Sequence, residues 1–212
     1  MRPAVFLDRD GVLVADDGLL VDASRFRILP GVPAAMNDLQ AAGFTLVMVT
    51  NQPVVARGMI DEAGLAGVHA HLVELLVSAG APRLAHLYHC PHHPKGEVAA
   101  YRIECTCRKP FPGMLTRAAA ELGLDLAHSV MVGDRITDVA AGAAAGCCTV
   151  QVETGRHDEP PITSAAVIPA DLKADHRCAD LTAATRWILQ RPRSLAGWNL
   201  ALPGSKTSRT KS

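Results

Sequence analysis

The chain has 212 residues, enough for one domain with a sizeable core. Hydrophobic residues make up 49% and aromatic residues only 4%, so alanine and valine must fill much of that core. A formal net charge of +0 argues against a dedicated nucleic-acid binder, and no apolar run is long enough to span a bilayer.

Met1-Arg2-Pro3 leads straight into a strand with no signal peptide, which points to the cytoplasm. The apolar run Ala4–Leu7 reads as a buried strand with Asp8 at its carboxyl end. Residues 12–29 form a mixed stretch holding Asp16, Asp17 and Gly18, suited to a flap or hairpin over a site. Residues 31–42 have helical spacing, with Val32, Met36 and Leu39 on one face and Gly43 as the stop. A buried strand is expected at 45–50, then a longer helix at 61–79 with Leu65, Val68, Leu72, Leu75 and Leu76 facing inward. Next come a strand at 84–89, a helix at 112–122 whose early prolines suit a first turn, and a strand at 129–132. A helix at 137–145, a strand at 148–152, an edge strand at 174–176 and a helix at 181–190 complete the order.

This alternation makes an α/β fold: a parallel sheet with helices on both faces. Ligands of such sheets bind beyond the carboxyl ends of the strands, where Asp8, Asp10, Thr50 and Asp134 all fall. Residues 1–190 form the expected domain. Residues 191–212 form a basic tail with Arg191, Arg193, Lys206, Arg209 and Lys211 and no acid, expected to be partly disordered, with Trp198 and Leu200 able to dock on the body.

Cys90, His92, Cys105 and Cys107 are a complete tetrahedral zinc set with no position left for water, so the metal should be structural. His93 is the alternative fourth ligand, and a disulfide is the main rival to zinc. Cys147, Cys148 and Cys178 remain as free thiols, in keeping with a reducing compartment. The zinc would clamp the loop that carries Arg108 and Lys109.

Asp8 and Asp10 stand two positions apart, and Asp134 arrives from another strand end. Such acids repel one another unless a cation sits among them, and oxygen ligands suit Mg²⁺. Lys109 adds a point charge for phosphate oxygens and Thr50 a hydroxyl donor. This is equipment for phosphoryl transfer, with Asp8 able to attack phosphorus and Asp10 able to protonate the leaving oxygen and then activate water. The competing reading makes each aspartate a turn or helix cap.

Asp8-Arg9-Asp10-Gly11-Val12, Thr50-Asn51-Gln52, Arg108-Lys109-Pro110 and Gly133-Asp134-Arg135 with Asp138 together resemble the four motifs of the haloacid-dehalogenase-like phosphatases, in family order. The resemblance implies a Rossmann-like sheet, no large cap domain, an aspartyl-phosphate on Asp8, and Mg²⁺ on Asp8, the Asp10 carbonyl and Asp134. Thr50 and Lys109 would hold the transferring phosphoryl group. Arg108 would contact the sugar or its other phosphate, while Arg9, Asp16, Asp17, Gly18, Leu19, Asn51, Gln52, Pro53, Arg57 and Arg135 would serve substrate binding. The zinc quartet is shared by heptose-bisphosphate and histidinol-phosphate phosphatases. The long zinc loop and Ala56-Arg57-Gly58 are more similar to the former, implying the 7-phosphate of a heptose 1,7-bisphosphate as substrate. Pro53-Val54 departs from the Ser-Gly usual after the second motif: proline lacks an N–H and valine resists positive φ, so this loop should take another path. A small phosphorylated sugar is thus the expected partner of a monomeric enzyme. The contrasting class is a non-catalytic, zinc-stabilised interaction protein using the basic tail.

Overall fold

The computed structural model describes residues 1–159 and 168–191. Six strands, β1 (Ala4–Leu7), β2 (Thr45–Asn51), β3 (His86–Cys90), β4 (Val130–Gly133), β5 (Cys148–Val152) and β6 (His176–Cys178), form one sheet in the order β3-β2-β1-β4-β5-β6. Every pairing is parallel. Chain order reverses at β1: β2 lies on one side of it and β4 on the other. A crevice opens at such a switch point.

Side chains alternate across β1. Val5 and Leu7 face a core built with α1 (Val32–Ala41), α2 (Glu62–Ser78) and α5 (Leu181–Gln190). Ala4 and Phe6 face the other side, against α3 (Gly113–Leu122) and α4 (Ile136–Ala145). Each fully buried valine or leucine in these two layers contributes about 1.5–3 kcal/mol.

Three strands begin later than the sequence pattern predicts: β3 at His86 and not at residue 84, β4 and β6; for the last two a side chain explains the shift. Ser129 completes a turn: its Oγ accepts from Ala4 N at 2.9 Å and donates to the Asp125 carbonyl, so β4 starts at Val130. The Asp175 carboxylate accepts from Thr149 N and Oγ1 at 2.8 and 2.9 Å, so ladder pairing on β6 starts at His176.

Among the described residues no separate domain is inserted after β1 or β2. The segment after β1 folds back as a flap, with Val14 bridged antiparallel to Ile28. The segment after β2 winds into turns, with Arg57 N on Pro53 O, Gly58 N on Val55 O and Met59 N on Val54 O. Pro53 opens the first turn, where an N–H is not needed, and among the described residues none other than glycine has positive φ. Residues 53–59 thus wind into a tight coil, with Val54, Val55 and Ala56 buried. The expected tail, with Trp198 and Leu200, lies outside the described residues.

Candidate active site

The crevice at the switch point holds a cavity of about 320 Å³. Asp8, Asp10, Thr50, Asn51, Lys109 and Asp138 line its floor, while Asp16, Gly18, Leu19, Pro53, Arg57, Arg108 and Arg135 stand around it. Strand order explains the convergence. Asp8 follows β1, Thr50 is the last residue but one of β2 beside it, and Asp134 follows β4 on the other side.

Lys109 comes from the zinc-type loop but is tied to β2. Its N–H donates to Asn51 Oδ1 and its carbonyl accepts from Asn51 Nδ2, both at 3.0 Å. A cis peptide joins it to Pro110. Its ammonium donates to Val49 O at 3.0 Å and pairs with Asp8 Oδ1 at 3.0 Å and with Asp138 Oδ1. Burial works to lower the Lys109 pKa, but Asp138 and Asp8 carry it above the ordinary lysine range. The ammonium therefore stays charged. Asp138 also accepts from Arg135 N at 3.0 Å through Oδ2, closing the first turn of α4. Thr50 Oγ1 accepts from Gln52 Nε2 at 2.9 Å, which leaves its own O–H to donate.

Carboxylate oxygens of Asp8, Asp134 and Asp138 lie within 4.8 Å of one another. Asp134 is pushed up to about 8 by burial first and then by Asp138 and Asp8. Its Oδ2 accepts from Arg156 N at 2.7 Å, whereas its buried Oδ1 has no hydrogen-bond partner. A cation would satisfy that oxygen and relieve the repulsion, so the donor set fits Mg²⁺. Glycine shapes the cradle: Gly11 has φ +76°, and a Cβ there would lie 2.7 Å from Asp134 Oδ2.

The Cys/His cluster is assembled across one loop. Cys90 ends β3, and Cys105 and Cys107 return just before α3. Neighbouring donor atoms are 3.2–3.7 Å apart: Cys107 Sγ to Cys90 and Cys105 Sγ 3.2 Å, His92 Nδ1 to Cys107 Sγ 3.4 Å, Cys90 Sγ to Cys105 Sγ 3.6 Å and to His92 Nδ1 3.7 Å. These approach the ~3.8 Å edges of a tetrahedron with zinc–sulfur bonds of ~2.3 Å, so the set fits zinc. All six cysteines are free thiols, and His92, not His93, belongs to the cluster. His93 instead lines the active-site cavity, with burial first and then Arg108 and Arg57 lowering its pKa. The loop also grips the segment after β2, since Glu97 and Val98 donate to Ala56 O at 2.7 and 2.9 Å, next to Arg57. Arg108 Nη1 donates to His92 O at 3.1 Å.

Three residues expected at the substrate do not line the cavity. Arg9 turns to the α2 face of the sheet, where its guanidinium binds the Asp10 carboxylate and stands 3.4 Å from His69 Nε2. β1 alternation explains this: Arg9 follows Val5 and Leu7, whereas Asp8 follows Ala4 and Phe6. Asp17 is spent on Arg27, at 2.7 Å on the outer side of the flap. Gln52 is buried and bonds Asp10 Oδ2 at 3.2 Å as well as Thr50.

Sequence reasoning missed the loop after β5. Arg156 pairs with Asp16 at 2.9 Å, Arg135 reaches Asp16 at 3.3 Å, and Glu159 pairs with both arginines, so the loop joins flap and α4 across one side of the mouth. No local motif marks these residues. Only the ionic partners brought near by the fold give them a role.

Acids, a buried lysine and a hydroxyl at the switch point of an all-parallel sheet define a phosphoryl-transfer site of the haloacid-dehalogenase type. The HAD-hydrolase-like family model matches residues 106–184. The chain is 43% identical over 170 residues to D-glycero-beta-D-manno-heptose-1,7-bisphosphate 7-phosphatase of Yersinia pestis, covering 80% of this chain and 88% of that one. It superposes on D,D-heptose 1,7-bisphosphate phosphatase from B. bronchiseptica, crystallised with magnesium and phosphate, with TM-score 0.72 and 33% identity over 89% of this chain and 98% of that one. A putative HAD-like phosphatase from Mesorhizobium loti gives TM-score 0.73 and 30% identity, covering 89% and 84%. The chain belongs to the haloacid-dehalogenase-like phosphatases, in the family of the D-glycero-β-D-manno-heptose-1,7-bisphosphate 7-phosphatases.

Proposed function

We propose that this phosphatase removes the 7-phosphate of D-glycero-β-D-manno-heptose 1,7-bisphosphate through an aspartyl-phosphate on Asp8. The observation that carries the reading is the Asp8-Asp134-Asp138 cluster beside Lys109, opening into a cavity rimmed by Arg57 and Arg108. Asp8, the Asp10 main-chain carbonyl and Asp134 hold Mg²⁺, and Asp138 is engaged by Lys109. Bound there, Mg²⁺ neutralises charge on the phosphoryl oxygens.

The residues do the rest. Thr50 and Lys109 fix the phosphoryl oxygens, and the N-terminal turn of α4, with Ile136 and Thr137 in the cavity wall, adds a favourable field for an anion. An Asp8 oxygen bonds to phosphorus as the bond to the sugar oxygen breaks, and Asp10 gives that oxygen its proton. Asp10 then takes a proton from water, whose oxygen attacks phosphorus as the Asp8–phosphorus bond breaks. Phosphate leaves and both aspartates return to their starting states.

Arg57, His93 and Arg108 hold the distal phosphate and sugar. Cys90, His92, Cys105 and Cys107 hold a structural zinc that stiffens the loop behind Arg108. The free thiols suit the reducing cytoplasm. Among the described residues no helix is long and apolar enough to cross a membrane.

The test is phosphate release with Mg²⁺ from the heptose bisphosphate, histidinol phosphate and simple sugar phosphates. A kcat/KM for the bisphosphate at least about 10²-fold above the others is expected. Even, weak rates across the panel would move the substrate elsewhere, with the Pro53-Val54 coil as the place to look.

A further inference from the structure

Arg9 is one of the largest fully buried side chains, at 1% exposure. Taking a guanidinium out of water costs several kcal/mol, and its only carboxylate partner at this site is Asp10. The pairing is a fork. Nε donates to Asp10 Oδ1 at 3.0 Å and Oδ2 at 3.1 Å, and Nη2 to Oδ2 at 2.9 Å. Gln52 Nε2 adds a further donor to Oδ2 at 3.2 Å. The guanidinium is itself held from behind: it lies 5.2 Å over the Phe26 ring, and Nη1 stands 3.4 Å from the buried His69 Nε2.

Oδ2 thus carries most of the anchoring, and Oδ1, sharing only Nε, is the oxygen left to carry a proton. Asp10 lines the cavity while its carboxylate is held by Arg9 and Gln52, and Arg9 is backed by Phe26 of the flap and His69 of α2. We propose that Arg9 is a positioning residue: stacked on Phe26 and backed by His69, it fixes Asp10 by its Oδ2 edge so that Oδ1 is presented to the leaving oxygen. This rests on the reading of Asp10 as acid and base.

The test compares leaving groups. An alkyl ester such as the heptose bisphosphate expels an alkoxide that needs a proton. The p-nitrophenyl ester expels a phenolate that does not. kcat/KM reports the steps through leaving-group departure and excludes hydrolysis of phospho-Asp8. Arg9→Lys keeps the charge but replaces a planar fork with one point donor. It is expected to lower kcat/KM about 10²-fold on the alkyl ester and less than about threefold on the aryl ester. Phe26→Leu, which removes the ring under an intact fork, should show the same selectivity at about tenfold. Equal losses on both esters in these variants, or full alkyl-ester turnover in Arg9→Lys, would overturn the proposal. Asp10→Asn is measured beside them. Selective loss there with none in Arg9→Lys removes Arg9 alone, whereas equal loss on both esters in Asp10→Asn removes the acid reading of Asp10 and the proposal with it.

Discussion

At the residue scale, the two sides of β1 separate chemistry from support. Asp8 and Asp10 reach the crevice, and Arg9 between them enters the packed face. Asp8→Asn should lower turnover by about 10⁴-fold or more while circular dichroism and zinc content stay unchanged, because the attacking oxygen and one acid of the Asp8-Asp134-Asp138 group are lost but the cores and the Cys/His cluster are not. Near-normal turnover would exclude the aspartyl-phosphate. Lys109 is buried between Asp8 and Asp138, so Lys109→Met strands two carboxylates. Urea unfolding should show about 3–5 kcal/mol lower stability along with lost activity. Much of this site is legible in the sequence: Asp8, Asp10, Thr50 and Asp134 fall at strand ends, and Lys109 follows directly on the Cys/His loop. Arg9 and Gln52 are not legible as substrate residues, because a motif names a position and not the direction in which its side chain points. Alternation along β1 does carry that information for Arg9.

At the element scale, apolar periodicity locates the five α-helices and β1 to β5 of the described residues to within a few residues, since each buries one or both faces; β6, with none of its three residues buried, carries no such signal. Two of the errors fall where Ser129 and Asp175 use side chains to replace ladder bonds, and a third at the start of β3. The loop after β5 has no periodicity, and its part in the mouth depends on ionic partners distant in the chain. Two elements invite measurement. Stripping the Cys/His cluster with a chelator, with Mg²⁺ then restored in excess, should lower both Tm and kcat/KM, because the loop that carries Arg108 and grips Ala56 loses its clasp. Unchanged activity in the stripped protein would deny the clasp any role in catalysis. In α2, burial first and then Arg9 and His89 hold the His69 pKa down at about 3, against an ordinary 6.5. The unfolded chain takes up that proton as pH falls through about 6.5 and the folded protein does not until about 3, so stability declines across this window as pH drops. His69→Phe should lose about 2 kcal/mol less stability than the parent between about pH 7 and pH 5, read by urea unfolding. Identical slopes would mean that the ring is already charged in the fold.

At the scale of the whole molecule, alternating strands and helices announce a parallel sheet, but the order β3-β2-β1-β4-β5-β6 is carried by no local signal. Ion pairs across one side of the mouth stand in a fold with no cap inserted among the described residues, which suits a small, highly charged substrate that must enter and leave an open crevice. With helices already packed on both faces of the sheet, sedimentation at micromolar concentration should give one species near the 22.4 kDa chain mass. A dimer would point to a surface outside the two cores.

The central position of β1 also sets a schedule for synthesis. Its first residue bonds Ser129, 125 positions further on. At roughly 5–20 residues added per second, about 6–25 s separate the two on the ribosome. From the synthesis of β2 until that of β4, β1 has at most β2 beside it and nothing on its other edge, and Asp8 faces a gap where Asp134 will stand. The nascent chain therefore carries an open hydrophobic edge and no assembled acid cluster. Its exposure to chaperones and to misplaced pairing is concentrated in the span before residue 130 emerges.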